Sequence, residues 1–115
     1  MFVIEYYTEK GKCPVLEFIE KLTPKEQAKI LREIDLLEEF GLPLGMPHIR
    51  KIQGYEDIWE LRIKHSSNNF RIFYLCYTGG KFVLLHGIRK TTGKTPARDI
   101  KTAEKRMRYY LKGSE

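Results

Sequence analysis

The chain has only two cysteines among its 115 residues, Cys13 and Cys76, and they lie far apart. Disulfide frameworks use several pairs, and zinc or redox motifs need close spacing, so two free thiols in a reducing, cytoplasmic setting are expected. No apolar run approaches the roughly 18 residues that a membrane-spanning helix requires. No basic segment followed by an apolar stretch marks a secretory leader, so no membrane partner is expected. Internal repeats, low-complexity tracts and linkers are also missing. That leaves one domain over residues 1–115, with an ordinary 42% hydrophobic and 31% charged composition. Carboxylates are outnumbered, 15 Asp and Glu against 21 Lys and Arg, and they do not cluster with histidine as a magnesium or zinc site would need. No metal or other cofactor is expected.

The positive charge is unevenly placed. Residues 1–45 carry six basic and nine acidic side chains, a net −3, and residues 46–115 carry fifteen and six, a net +9. A second half of this kind favours a polyanionic partner, nucleic acid above all. A merely solvated basic surface is the plainer alternative.

Pattern then places the elements. Phe2 to Tyr7 reads as a strand. Pro14 opens a short helix with Val15, Phe18, Ile19 and Leu22 on one face, behind Cys13 as a poor cap. Thr23, Pro24 and Glu26 form a capping-box start to a second helix that ends at Gly41, with Ile30, Leu31, Ile34, Leu37 and Phe40 as its apolar stripe. His48 to Ile52 is a short strand. Trp59, Leu61 and Ile63 alternate with Glu60, Arg62 and Lys64, and Trp59 is expected in the core. Phe70 to Tyr77 is apolar on both faces except at Arg71, as in a central strand, and Phe82 to Ile88 follows after a Gly79-Gly80 turn. A basic, threonine-rich loop from Arg89 to Pro96 leads into a last helix whose apolar face holds Ile100, Ala103, Met107, Tyr110 and Leu111. The order β-α-α-β-β-β-β-α predicts an α+β domain, with helices against one face of a mainly antiparallel, twisted sheet.

The ordered set IWELR, RIFY, VLLHGIRKTTGKTP and RMRYYL resembles the RelE/HigB superfamily of bacterial toxins, within the wider RelE/ParE group. It is closest to the phage-derived HigB-like branch. The resemblance extends over nearly the whole chain. It implies a type II toxin that cleaves mRNA on the ribosome, neutralised by a cognate helix-turn-helix antitoxin. It matches Arg62 and Arg71 to the strand arginines of that family, and Arg89 and Lys90 to its basic pair after the last strand. His48, Arg50 and Lys51 match the positions of catalytic or phosphate-binding basic residues, and Tyr109 or Tyr110 a C-terminal tyrosine.

RNA supplies its own nucleophile, the 2′-OH. A nuclease must accept its proton, stabilise phosphorane charge and protonate the leaving oxygen. Arg62, Arg71 and Arg89 are candidates for a guanidinium clamp. Lys90, Lys51 or His48 could be the base if crowding cations depress a lysine. Arg50, Lys64, Lys94 and Arg98 are candidate RNA contacts, and Tyr55 or Tyr74 could stack on a base. The plainer readings are that Arg62 and Arg71 make structural ion pairs, that His86 is a hydrogen-bonded core residue, and that His65 is inert. Two other functions fit the same sequence: a non-catalytic ParE-like toxin that binds a protein such as DNA gyrase, and a basic RNA-binding module.

Overall fold

The computed structural model describes residues 2–91 and 93–113, so Thr92 of the threonine-rich loop lies outside the described residues. The elements are β1 (Val3–Tyr6), α1 (Pro14–Glu20), α2 (Pro24–Phe40), β2 (Ile49–Lys51), β3 (Ile58–His65), β4 (Asn68–Tyr77), β5 (Lys81–Lys90) and α3 (Ala97–Gly113). A single 3-10 turn at Leu42–Leu44 follows α2. The class is the α+β arrangement that the pattern predicts.

The five strands lie in the order β1-β5-β4-β3-β2. The β2-β3, β3-β4 and β4-β5 pairs are antiparallel, whereas β1 joins β5 in parallel. Strand β4 is therefore central, as its two apolar faces require. The helices do not share one face. On one side α1 and α2 cover Leu61, Ile63, Phe70, Ile72, Tyr74, Phe82 and Leu84. On the other, α3 covers Phe73, Leu75, Val83 and Leu85 through Ile100, Ala103 and Met107. The reason is legible in β4 and β5, where neighbouring residues on both faces are apolar and a single helical layer would leave half of them in water. Trp59 is half-buried at the edge of the first cluster. Among the described residues no helix is long and apolar enough to cross a membrane.

The stripe of α2 is narrower than its composition predicts. Ile30, Glu33, Ile34 and Leu37 are buried, but Leu31 is 43% exposed and Phe40 47%. At roughly 100° per residue, Leu31 and Phe40 fall on opposite flanks of the Ile30-Ile34-Leu37 line. Leu111 is likewise exposed at the end of α3.

The start of α2 is well determined. Thr23 Oγ1 accepts from the Glu26 backbone N–H at 3.2 Å, and Glu26 Oε1 accepts from the Thr23 N–H at 3.0 Å. The Thr23 N–H and hydroxyl, Arg89 and Asn68 hold the Glu26 carboxyl below the usual carboxylate range against its burial. Thr23→Ala is expected to destabilise the fold by about 1 kcal/mol, measured by urea unfolding. An unchanged midpoint would mean that the box is dispensable.

On the α3 side, His86 Nε2 lies 2.8 Å from Asp99 Oδ1, and Arg106 Nη1 lies 3.1 Å from His86 Nδ1 and donates to the Leu85 carbonyl at 3.0 Å. Arg106 can only donate, so Nδ1 is the acceptor and Nε2 carries the proton. Burial, reinforced by the Arg106 charge, pushes the imidazole below its ordinary value of 6.5 despite the opposing Asp99. The unfolded chain therefore binds the proton more readily. Stability from this contact is complete above pH 6.5 and is lost as pH falls through the folded-state value. Wild type should lose melting temperature between pH 7.5 and 5.5, and His86→Gln should lose less over the same interval. Equal slopes would remove His86 as the cause.

Candidate functional site

Side chains of a strand alternate between faces, so register decides which cations can meet. On β3, Glu60 and Arg62 share the α3 face with Ile58. Arg50 of β2 stands opposite Glu60, and Arg71 of β4 opposite Arg62. On β5, Ile88 packs into the α3-side cluster, which puts Lys90, two residues on, on that face as well. Helix α3 begins only at Ala97. This corner of the face is thus bordered by the preceding loop, from which the Thr95 hydroxyl donates to Glu60 Oε1 at 3.4 Å.

The result is four cations about one carboxylate. Glu60 is only 4% exposed and Arg71 5%. Glu60 Oε2 lies 3.8 Å from Arg62 Nε, and Oε1 lies 3.9 Å from Arg71 Nε. Those separations are attractive but too long for hydrogen bonds. Both Nε–H groups are buried without an acceptor among the described residues. Arg71 Nη1 donates to the Phe70 carbonyl at 2.9 Å, which fixes the guanidinium against its own strand. Lys90 is pressed below the usual lysine range, first by burial, then by the Arg71 charge, with Arg62 and Arg50 adding and Glu60 opposing. The corner has a net positive charge and carries unfilled donors, so it can take an anion.

A cleft of about 320 Å³ adjoins it, lined by Arg62, Arg71, Lys64 and Asn69 from the sheet and by His48, Lys29 and Glu33 across from them. His48 Nδ1 lies 2.8 Å from Glu33 Oε1. Strand β2 begins at Ile49, opposite Leu61, and the Arg62 N–H donates to the His48 carbonyl at 2.7 Å, so it is the edge of β3 beyond Arg62 that faces this cleft.

Several sequence candidates stand elsewhere. Arg89 points to the opposite face from its neighbour Lys90, lying over the Phe70 ring at 5.2 Å, donating to Asn68 Oδ1 at 2.9 Å and facing Glu26 at 3.9 Å. It is no part of the Arg62-Arg71 clamp. Lys51 stands opposite Trp59, on the α2 side. Tyr74 is fully buried, its hydroxyl without a partner among the described residues, so no base can stack on it. Tyr55 is half-buried against α3, its hydroxyl donating to Glu104 at 3.4 Å. Lys94 and Arg98 are exposed on the loop and the first turn of α3. Tyr110 bonds to Glu5 and Lys81 at the start of β5, with Tyr109 exposed beside it. A strand of nine steps separates Lys81 from Lys90, about 30 Å, so neither tyrosine reaches the cation cluster. His65 is half-buried at the end of β3.

Glu60 is the residue that sequence reasoning passed over. It stands two residues before Arg62, and that spacing already places both on one strand face. What could not be read was that this face is closed over Glu60 and open at Lys64.

The comparisons with known proteins bear on this arrangement. A family model described as Phage derived protein Gp49-like (DUF891) matches residues 17–108. The match takes in α2, the antiparallel strands and nearly all of α3, and so every member of the cation cluster. No curated protein matches the chain. With a match over most of its length, the chain belongs to the phage-derived Gp49-like protein family.

Proposed function

We propose that this protein is the toxin of a type II toxin–antitoxin pair, of the HigB-like branch, and that it cleaves mRNA at the ribosome without a metal. The observation that carries the reading is the convergence of Arg62, Arg71 and Lys90 on one carboxylate, with two buried guanidinium N–H groups left over. An arginine pair with spare donors suits a phosphodiester, whose two free oxygens a planar fork can meet.

In this reading the 2′-oxygen of RNA attacks phosphorus and gives its proton to a base. The bond from phosphorus to the 5′-oxygen breaks, and that oxygen takes a proton from an acid. The products are a 2′,3′-cyclic phosphate and a 5′-hydroxyl. Arg62 and Arg71 neutralise the extra charge on the five-coordinate phosphorus. Lys90 is the base, because its depressed proton affinity makes the neutral amine more accessible than in an ordinary lysine. His48, on the adjoining cleft, is suited to return a proton to the leaving oxygen. Arg50 and Lys64 extend the cationic surface along the strand.

The partner is a helix-turn-helix antitoxin whose acidic side chains cover the basic corner. The protein added to a translating extract should produce new mRNA 5′ ends that begin with a hydroxyl. Intact mRNA together with loss of plasmid supercoiling would overturn the nuclease in favour of a gyrase-binding toxin. Salt-sensitive RNA binding without cleavage or growth arrest would leave only a binding module.

A further inference from the structure

We infer that Glu60 is the positioning residue of this site, holding Arg62, Arg71 and the loop before α3 in place for a phosphate without consuming the donors that bind it. Only the identification of that phosphate as a link in RNA rests on the nuclease reading. The positioning is a property of the free protein.

A carboxylate hydrogen-bonded to the two Nε–H groups would occupy them. Glu60 stands 3.8 Å from one Nε and 3.9 Å from the other, near enough to attract and too far to bond. Those N–H groups have no other acceptor among the described residues, a state that is costly in a buried site unless a ligand fills it. Glu60 itself is almost wholly covered, and the Thr95 hydroxyl reaches it from the loop. One side chain thus ties β3, β4 and the approach to α3 together at a single point.

Its charge also acts on Lys90. Facing that ammonium are Arg71 from β4, Arg62 and Glu60 from β3, and Arg50 from β2. Glu60 is the only one of the four that favours the protonated form, so it sets how far the three arginines depress Lys90. The same negative charge repels an incoming phosphate.

Glu60→Gln keeps the shape and removes the charge, and the two consequences are opposite in sign. Binding of inorganic phosphate, followed by amide NMR shifts, should tighten roughly 2- to 10-fold because the repulsion is gone. Single-turnover cleavage of a defined mRNA on programmed ribosomes should slow by at least about 10-fold because the guanidiniums are no longer held. The Lys90 titration midpoint, read from its ¹³Cε shift, should fall, and the rising limb of the pH–rate profile with it. Glu60→Asp retains the charge at a shorter reach. It should keep the Lys90 midpoint near wild type while its rate falls between those of wild type and Glu60→Gln, and it serves where Glu60→Gln fails to fold.

A merely structural glutamate would weaken phosphate binding and rate together and leave the Lys90 midpoint in place, and that result overturns the inference. So does a Glu60→Gln protein with wild-type rate and midpoint. A wild-type protein that cuts no RNA overturns the nuclease reading instead, and the phosphate and Lys90 measurements still decide the role of Glu60.

Discussion

Lys90→Met should cut mRNA roughly 10²- to 10⁴-fold more slowly than wild type, the range expected when a proton-transferring group is removed. The substitution keeps an unbranched side chain of similar length at this half-buried position and deletes the ammonium. Melting temperature should therefore move by no more than about 3 °C. Arg62→Gln should slow cleavage roughly 10²- to 10³-fold, as loss of one charge-stabilising donor does. It should also leave the fold intact, because Arg62 is partly exposed, its Nη1 lies 3.9 Å from the Met46 sulfur, and Glu60 still has Arg71 beside it. Arg71→Ala is the less decisive variant. Arg71 is 5% exposed and shares Glu60 with Arg62, so its loss disturbs a buried ion pair at about 3–5 kcal/mol. Single-turnover kinetics of Lys90→Met and Arg62→Gln on programmed ribosomes is the measurement, and wild-type rates from both would end the assigned roles.

The largest loss of stability is expected at Phe70. Its ring is fully buried and meets Phe18 of α1 edge-on at 6.3 Å between centroids, and Arg89 covers it at 5.2 Å. Phe70→Ala removes the Phe18–Phe70 contact between α1 and the central strand and the ring beneath the Arg89 guanidinium. A cavity of that kind costs about 3–5 kcal/mol, against a total of roughly 5–15 kcal/mol for a domain. The variant should be close to unfolding at physiological temperature, with a urea midpoint far below wild type. A loss under about 1.5 kcal/mol would mean that α1 can collapse onto the gap. The position has a functional consequence too, since Arg89 is the cation that the sequence joins to Lys90 and the fold sends to Phe70.

Much of the architecture was legible because it rests on local rules. The capping box at Thr23 and Glu26, Pro14 at the first position of α1, and the doubly apolar β4 each follow from a few neighbouring residues. The helical layers were less legible. Apolar residues on both faces of β4 and β5 call for two coverings, but nothing local says which helix takes which side. Parallel pairing of β1 with β5 joins the first strand to the last across most of the sequence, and no turn between them specifies it.

What the sequence determined by itself is the set of cations and the faces they share within each strand, since the two-residue period is a property of the backbone. Arg62 and Glu60 had to be on one side, and Arg89 and Lys90 had to part. Which of that last pair would meet Arg71 was decided only by the tertiary structure. Between Tyr74, opposite Leu84, and Phe73, opposite His86, strand β5 carries one residue more than β4, and Leu85 is left without a partner. A bulge shifts everything beyond it by one position and so exchanges the faces. Without it Arg89 would face the α3 side beside Arg71 and Lys90 would lie against α2. The extra residue is accommodated because Leu85 and His86 both find places under α3, Leu85 in its apolar cluster and His86 between Asp99 and Arg106. That packing joins residues from distant parts of the chain, and it is what brings the Lys90 ammonium to the two arginines.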